Sequence, residues 1–364
     1  MEDCTKIAGM DVHKKNIVEA VLSAGTNRVE EKLTLENHPA QVESMVKRLS
    51  GKGPLEFVYE AGPCGYEIQR QITALGHKCV VIAPGLTPVK PGERVKTDRR
   101  DAEKLARLYR AGELTEVRVP TREEEAARDL VRIREDAVSD RLRARHRLIK
   151  LLLRQGRVYR DGNAWTQAHY RWLSAQRFEH EAQQQTLEGY SRALGEAEAR
   201  LETLEQQVLD LAQTERYRKL VNNLRCLKGV ETLSAMTFAV EAQDFGRFGK
   251  ARDFMGYIGV VSSENSSGER VRRGRITKTG NAHLRRVLIE SAWSYWGRNI
   301  PSNAVAARRK GCAPEVVKLA RKAQDRLHRK FQRMVARGKP AQVAAVAVAR
   351  ELSGFVWAIA QASK

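Results

Sequence analysis

Four acidic residues stand where their type and spacing could do chemistry. Asp11 closes one apolar run, Ile-Ala-Gly-Met-Asp-Val-His, and Glu60 closes another, Phe-Val-Tyr-Glu-Ala-Gly. Asp98 and Asp101 lie in Lys-Thr-Asp-Arg-Arg-Asp-Ala. On a helix, a spacing of three sets that pair on one face. Acids at the strand ends of an open α/β sheet fall where ligands bind. Hard oxygen donors drawn from two strands and a helix can hold Mg²⁺. A pair of such ions would clamp the attacking and leaving oxygens of a phosphoryl transfer. Each acid also has a structural reading. Asp11 and Glu60 can be solvated strand ends, since an unpaired buried charge is costly. Asp98 and Asp101 can balance the dipole of their own helix. Together, in this order and in a basic chain, the four favour metal binding.

A second constellation is the stretch 257–281, Tyr-Ile-Gly-Val-Val-Ser-Ser-Glu-Asn-Ser-Ser-Gly-Glu-Arg-Val-Arg-Arg-Gly-Arg-Ile-Thr-Lys-Thr-Gly-Asn. Its cations, Arg270, Arg272, Arg273, Arg275 and Lys278, are candidates for phosphate contacts. Gly268, Gly274 and Gly280 allow close backbone approach to a phosphodiester. Amides at a helix start near Asn281 can bind anions. In such a field a serine hydroxyl can attack phosphorus and hold a covalent phosphoserine. Serine-rich loops are also ordinary solvated turns, and Ser262 and Ser263 read that way. The residues alone do not separate Ser266 from Ser267. No histidine lies in the loop and His283 is the nearest in sequence, so no general base is assigned.

These groups need elements to position them. Ile7–Asp11 and Asn16–Ser23 read as strands joined by the polar turn His13-Lys14-Lys15, with Arg28–Leu35 as a third. His38–Leu49 reads as a helix, Leu55–Glu60 as a strand, Tyr66–Leu75 as a helix stopped by Gly76, and Lys78–Ala83 as a strand. Thr97 can cap a helix through Asp98–Ala111 that Gly112 ends. The pattern predicts a mixed-sheet α/β domain over 1–118. A helical region follows over 119–218. Residues 141–160 hold eight basic residues and no acidic one, with Arg143, Arg145 and Arg147 as candidate nucleic-acid contacts. Trp165, Tyr170 and Trp172 lie nearby and can stack on bases or pack in a core. Leu187, Tyr190, Leu194, Ala197, Leu201, Leu204, Val208 and Leu211 step by three and four, a heptad that predicts a coiled coil. Pairing between subunits is favoured over folding back on 122–155. A mainly helical region, 219–364, completes the chain. Within it Leu227–Ala235 reads equally as a helix-hairpin-helix turn or as a plain αα turn, and a helix from Asn281 carries the apolar face Leu284, Val287, Leu288, Ala292 and Tyr295.

Composition narrows the partners. The chain has 364 residues, with 65 Lys and Arg against 44 Asp and Glu, a formal net charge of +21. That excess suits a polyanion and salt-dependent phosphate binding. Five scattered cysteines without a CxxC pair suggest neither a zinc site nor a disulfide framework. No apolar stretch of membrane-spanning length and no secretory signal is read, so a cytoplasmic protein with no membrane partner is expected.

The motifs carry a resemblance. Gly-Met-Asp-Val-His-Lys, Glu60 and Lys-Thr-Asp-Arg-Arg-Asp-Ala resemble the DEDD signature of the IS110 family of transposases. Residues 257–281 resemble that family's C-terminal transposase domain, particularly in its longer-chain branch. Ser262 departs from the pattern, which often has proline there. The resemblance implies a RuvC-like, RNase H-type N-terminal domain with Asp11, Glu60, Asp98 and Asp101 as metal ligands. It implies Ser267 as the nucleophile of a recombinase that cuts and rejoins donor and target DNA. It also implies a guide, the bridge RNA, and a dimer or tetramer whose sites combine domains of different subunits. Two rivals stand beside it. A metal-dependent junction nuclease needs only the four acids and leaves the serine loop unexplained. A non-catalytic nucleic-acid-binding protein explains the charge and not the acids.

Overall fold

Three strands and a helix begin the N-terminal unit: β1 (Lys6–Val12), β2 (Asn16–Leu22), β3 (Val29–Glu36) and α1 (Pro39–Ser50). Then come β4 (Leu55–Glu60), α2 (Glu67–Ala74), β5 (Lys78–Ile82) and α3 (Asp98–Arg110). The computed structural model describes residues 5–23, 25–51, 53–88, 97–268 and 270–363. It divides into two units, 1–120 and 121–364.

The sheet order is β3-β2-β1-β4-β5, with β1, β2 and β3 antiparallel and β4 and β5 parallel to β1. Strand periodicity sorts its two faces. Ala8, Met10, Phe57 and Tyr59 point to one side and share a core with Val42 and Met45 of α1 and Ile68 and Ile72 of α2. Ile7 and Val58 point to the other and pack with Leu105 and Ala106 of α3. Both faces are covered, which is why β1, β2, β4 and β5 are apolar almost throughout.

The second unit is largely helical. Its elements are α4 (Arg122–Arg154), α5 (Gln167–Ser174), α6 (Glu181–Ala212), α7 (Glu215–Leu224), α8 (Thr232–Ala242) and α9 (Ala251–Ile258). A small hairpin follows, β6 (Ser262–Glu264) and β7 (Arg273–Ile276). Next come α10 (Ala282–Ala292), α11 (Asn303–Lys310), α12 (Pro314–Ala336) and α13 (Ala341–Gln361). Thr121 and Glu124 form a reciprocal capping box that starts α4.

The heptad seam on α6 is covered by α4 of the same chain. Leu187 and Leu194 pack with Leu148, Leu151 and Leu152; Leu201 and Leu204 with Ala137; Val208 and Ala212 join the core that holds Ala127 and Val131. Rising numbers on one helix meet falling numbers on the other, so the pair is antiparallel. The expected pairing of this seam between subunits is therefore corrected: its apolar face is already spent within the chain. Helix α13 is long and apolar enough to cross a membrane by length and composition. Ala344, Ala345, Val348, Ala349, Leu352, Val356 and Ile359 along it are buried in the core of the second unit.

Candidate active site

The strand register explains how the first two acids meet. Parallel pairing sets Lys6 opposite Leu55 and Met10 opposite Tyr59. Carried on by one residue, that register sets Asp11 beside Glu60 at the C-terminal ends of neighbouring strands. By strand alternation Asp11 follows Ile7 and Glu60 follows Val58, so both face α3. Helix α3 lies unusually close to β1 at Gly9. A Cβ at that position would come within 2.1 Å of the Ala102 carbonyl oxygen and 2.8 Å of the Ala106 nitrogen. The Thr97 side chain accepts from the Arg100 amide and fixes where α3 starts. Asp98 and Asp101 therefore occupy the first turn of the helix that Gly9 draws onto the sheet.

Asp11, His13 and Asp98 bring ligand atoms within 4.8 Å of one another. His13 Nε2 lies 3.3 Å from Asp11 Oδ2 and 3.5 Å from Asp98 Oδ2. Burial pushes the Asp11 carboxyl above its ordinary range; His13 pulls it down, and the charges of Asp98 and Asp101 push it further up. Glu60 and Asp101 lie outside that closest group. Glu60 Oε1 accepts a hydrogen bond of 2.9 Å from the Thr87 hydroxyl. Carboxylates close enough to push Asp11 upward are a donor set that a divalent cation would relieve. His13 was legible only as a turn residue. Its place in the group comes from the tight β1–β2 connection, which the His13 amide closes on the Asn16 carbonyl at 2.9 Å.

In the other unit, Ser266 and Ser267 lie at the exposed tip of the β6–β7 hairpin. The amide of Ser267 donates to the Arg270 carbonyl and the amide of Arg270 to the Ser267 carbonyl, at 3.3 and 3.2 Å. The two hydroxyls differ. Ser266 Oγ is engaged, accepting from the Arg272 amide at 3.2 Å and donating to Glu264 Oε1 at 2.9 Å. Arg270, Arg272, Arg273, Arg275 and Lys278 are exposed. Arg273 lies 3.6 Å from Glu264. Gly274 and Gly280 are required by the chain's own packing. A Cβ at Gly280 would come within 2.1 Å of the Tyr257 carbonyl oxygen, and one at Gly274 within 2.4 Å of Ser263 Oγ. Gly268, at φ +57°, has open space around it.

What holds the hairpin's base was not legible. Glu241 on α8 is buried and takes a two-pronged contact from Arg132 of α4, at 2.7 and 3.0 Å. It also accepts 2.6 Å from the Asn281 amide group. Asn281 in turn caps α10 by accepting from the Leu284 amide. Its helix start is thus partly satisfied from within. His283 is not a free base either. Its Nδ1 lies 2.6 Å from Glu135 Oε2, and that hydrogen bond raises the imidazole pKa against the opposing effect of burial. The turn after α7 packs closely on α10: a Cβ at Gly229 would come within 2.5 Å of the Ser291 carbonyl oxygen. Among the basic residues of α4, Arg145 lies across Trp165 at 4.5 Å and binds Glu198 and the Tyr170 hydroxyl at 2.7 and 3.1 Å. Arg143 pairs with Asp140, and Arg147 is exposed.

A five-stranded mixed sheet with acids at its strand ends, followed by a helical unit, is the architecture of an RNase H-like DEDD domain with a helical C-terminal part. The comparisons agree. Residues 8–155 match a DEDD transposase model, and 221–304 match the transposase model of the IS116/IS110/IS902 family. A putative transposase, y4qE, of Sinorhizobium fredii is 41% identical over 98% of this chain and 88% of its own length. The transposase for insertion sequence element IS1533 of Leptospira borgpetersenii is 34% identical over 90% of this chain and 95% of its own. This chain belongs to the IS110 family of transposases. It is an insertion-sequence enzyme with DNA as substrate, and its DEDD domain suggests dependence on a divalent metal.

Proposed function

We propose that this transposase cuts and rejoins DNA through a phosphoserine link formed by Ser267, with Mg²⁺ as the metal. Asp11, Glu60, Asp98 and Asp101 would hold the metal, two ions in the full site, with His13 bridging Asp11 and Asp98. When bound, the metal supplies charge neutralisation to the reacting phosphate. The Ser267 oxygen forms a bond to phosphorus and loses its proton, and one bridging phosphorus–oxygen bond breaks. The leaving deoxyribose hydroxyl takes up a proton. In the second half, a hydroxyl of the new partner strand displaces Ser267 and restores the original count of bonds. Arg270, Arg272, Arg273, Arg275 and Lys278 offset the charge of the phosphate, and Arg143 and Arg147 extend the phosphate contacts. A bridge RNA that pairs with donor and target strands would set the sequence, and a dimer or tetramer would carry out the exchange. The observation that carries this reading is the gathering of Asp11, His13 and Asp98 at a strand end in a chain whose relatives are transposases.

Denaturing electrophoresis with labelled element-end DNA tests it. The parent chain forms a covalent adduct that maps to Ser267; Ser267→Ala binds DNA and forms none. Asp11→Ala also forms none while melting as the parent does. An adduct surviving in Ser267→Ala would overturn the assignment, and one mapped to Ser266 would move it by one residue. Cleavage without any adduct would leave a metal-dependent nuclease.

A further inference from the structure

The helical unit contains a cavity of about 320 Å³ at the far end of the α4–α6 pair, which the transposition chemistry does not use. Its walls include Tyr159, Trp165, His169 and Trp172, and Lys150 and Arg157 also line it. The rings are ordered against one another. His169 stacks on Trp172 at 5.7 Å and 16°, and meets Tyr159 and Trp165 edge-on at 4.9 and 5.0 Å. Trp165 holds a left-handed backbone, φ 65°, a conformation that a bulky residue adopts only where its surroundings enforce it.

His169 carries the chemical clue. It is 1% exposed. Its Nδ1 accepts from the Trp165 backbone amide at 3.1 Å, so in the neutral ring the hydrogen sits on Nε2. Burial lowers its pKa, and the charge of Arg145 adds to that, which favours the neutral ring. Nε2 is buried and has no hydrogen-bond partner among the described residues. A buried donor left unpaired is costly, and interiors rarely keep one without a use. The cavity thus combines an apolar aromatic slot, one unanswered donor and a cationic lining.

From that combination we infer that the cavity receives a single unstacked nucleobase of a single-stranded nucleic acid. A flat heteroaromatic ring offers a π-face to Tyr159 and to the side of Trp172 that His169 leaves free and, once the aromatic walls part to admit it, a carbonyl or ring nitrogen in its plane to His169 Nε2–H. The attached phosphates would run past Lys150 and Arg157, along the segment 141–160 that has no acidic residue. Pockets for small organic ligands run from about 300 to 1,000 Å³; this one is at the small end, suited to one base rather than a larger cofactor. Stacking of this kind accepts any base and distinguishes single strands from duplex. The inference rests on the nucleic-acid partner proposed above and adds where one nucleotide of it goes.

The test uses the full chain, a short oligonucleotide with one fluorescent purine, an abasic strand with the same phosphates, and a duplex. DNA and RNA versions run in parallel and tell which strand is the source. The parent is expected to bind the base-bearing strand roughly ten-fold more tightly than the abasic one, with a change in purine emission. Ala164→Leu, at an exposed residue of the lining, blocks the slot without touching the core. Tyr159→Ala removes a wall. Both should lose the preference and the emission change while keeping the abasic and duplex affinities. Ala164→Leu should also keep the melting temperature, and Tyr159→Ala, which removes a ring packed on His169 and Trp172, should melt lower. A preference that persists in both variants would overturn the pocket and leave nucleic-acid binding intact. Failure of the parent to bind any strand would overturn the nucleic-acid reading and the pocket with it.

Discussion

Gly9 shows how one missing methyl can set an active site. The Ala102 carbonyl oxygen and the Ala106 nitrogen occupy the space a side chain would need, so Gly9→Ala must push α3 off the sheet. Overpacking of this kind costs about 1–3 kcal/mol. Asp98 and Asp101 ride on the displaced helix, and a misplacement of about 1 Å can cost roughly 100-fold in rate. We expect a modest fall in melting temperature and a much larger loss of DNA cleavage; a variant with both intact would show that the close approach is not needed. A second residue-scale outcome concerns His283 and Glu135. Burial works to raise the Glu135 carboxyl, but the His283 hydrogen bond and the Arg286 charge outweigh it and leave it below its ordinary value. His283 keeps its proton to higher pH than in the unfolded chain, where its ordinary value is 6.5. Its contribution to stability is therefore complete below that value and is lost as pH rises through the raised one. Glu135 contributes above its ordinary value of 4.5 and loses that contribution as pH falls through its lowered one. Stability measured by denaturant from about pH 6 to about pH 9 should fall more steeply in the parent than in His283→Gln. Parallel curves would remove the pair from the account.

At the scale of elements, the α4–α6 pair separates what periodicity can tell from what it cannot. The steps of three and four from Leu187 to Leu211 mark the buried face of α6, and Leu187, Leu194, Leu201, Leu204 and Val208 are buried on it. A period describes only its own helix, so the partner had to come from the three-dimensional packing. Leu201→Ala should therefore cost about 2–5 kcal/mol of stability and leave the oligomeric state at low temperature unchanged. Sedimentation that shows dissociation of a folded variant would restore a seam between subunits. The strands that carry Asp11 and Glu60 were legible for a related reason: runs buried on both faces stand out against turn residues, and the expected β1, β2, β4 and β5 match the observed ones within a residue. The β6–β7 hairpin was not legible, because its strands are exposed and have no apolar alternation to mark them. Glu241 and Arg132 were equally silent. They are 109 residues apart, and nothing local marks an acid inside the apolar helix α8 as the anchor of a distant loop.

For the whole molecule, the net charge of +21 overstates the surface offered to nucleic acid, because many cations are already committed. Arg132 is bound to Glu241, Arg134 to Glu205 and Arg145 to Glu198. Arg147, Arg270, Arg272 and Arg275 are exposed and form no ion pair among the described residues. Each cation that meets a phosphate releases condensed counterions, so the logarithm of affinity falls linearly with the logarithm of salt, by about 0.9 per phosphate on duplex DNA. The two groups of arginines should then separate cleanly. Replacing Arg270, Arg272 and Arg275 together with glutamine should weaken binding across all sequences and flatten the slope by about 2–3. Arg145→Gln should lower stability, because Glu198, the Tyr170 hydroxyl and the Trp165 ring lose their shared partner, and should leave the slope where it was. Titrations of labelled duplex at several salt concentrations, with melting curves on the same samples, measure both. A slope that flattens in Arg145→Gln and not in the triple variant would move the phosphate track from the hairpin to the middle of α4.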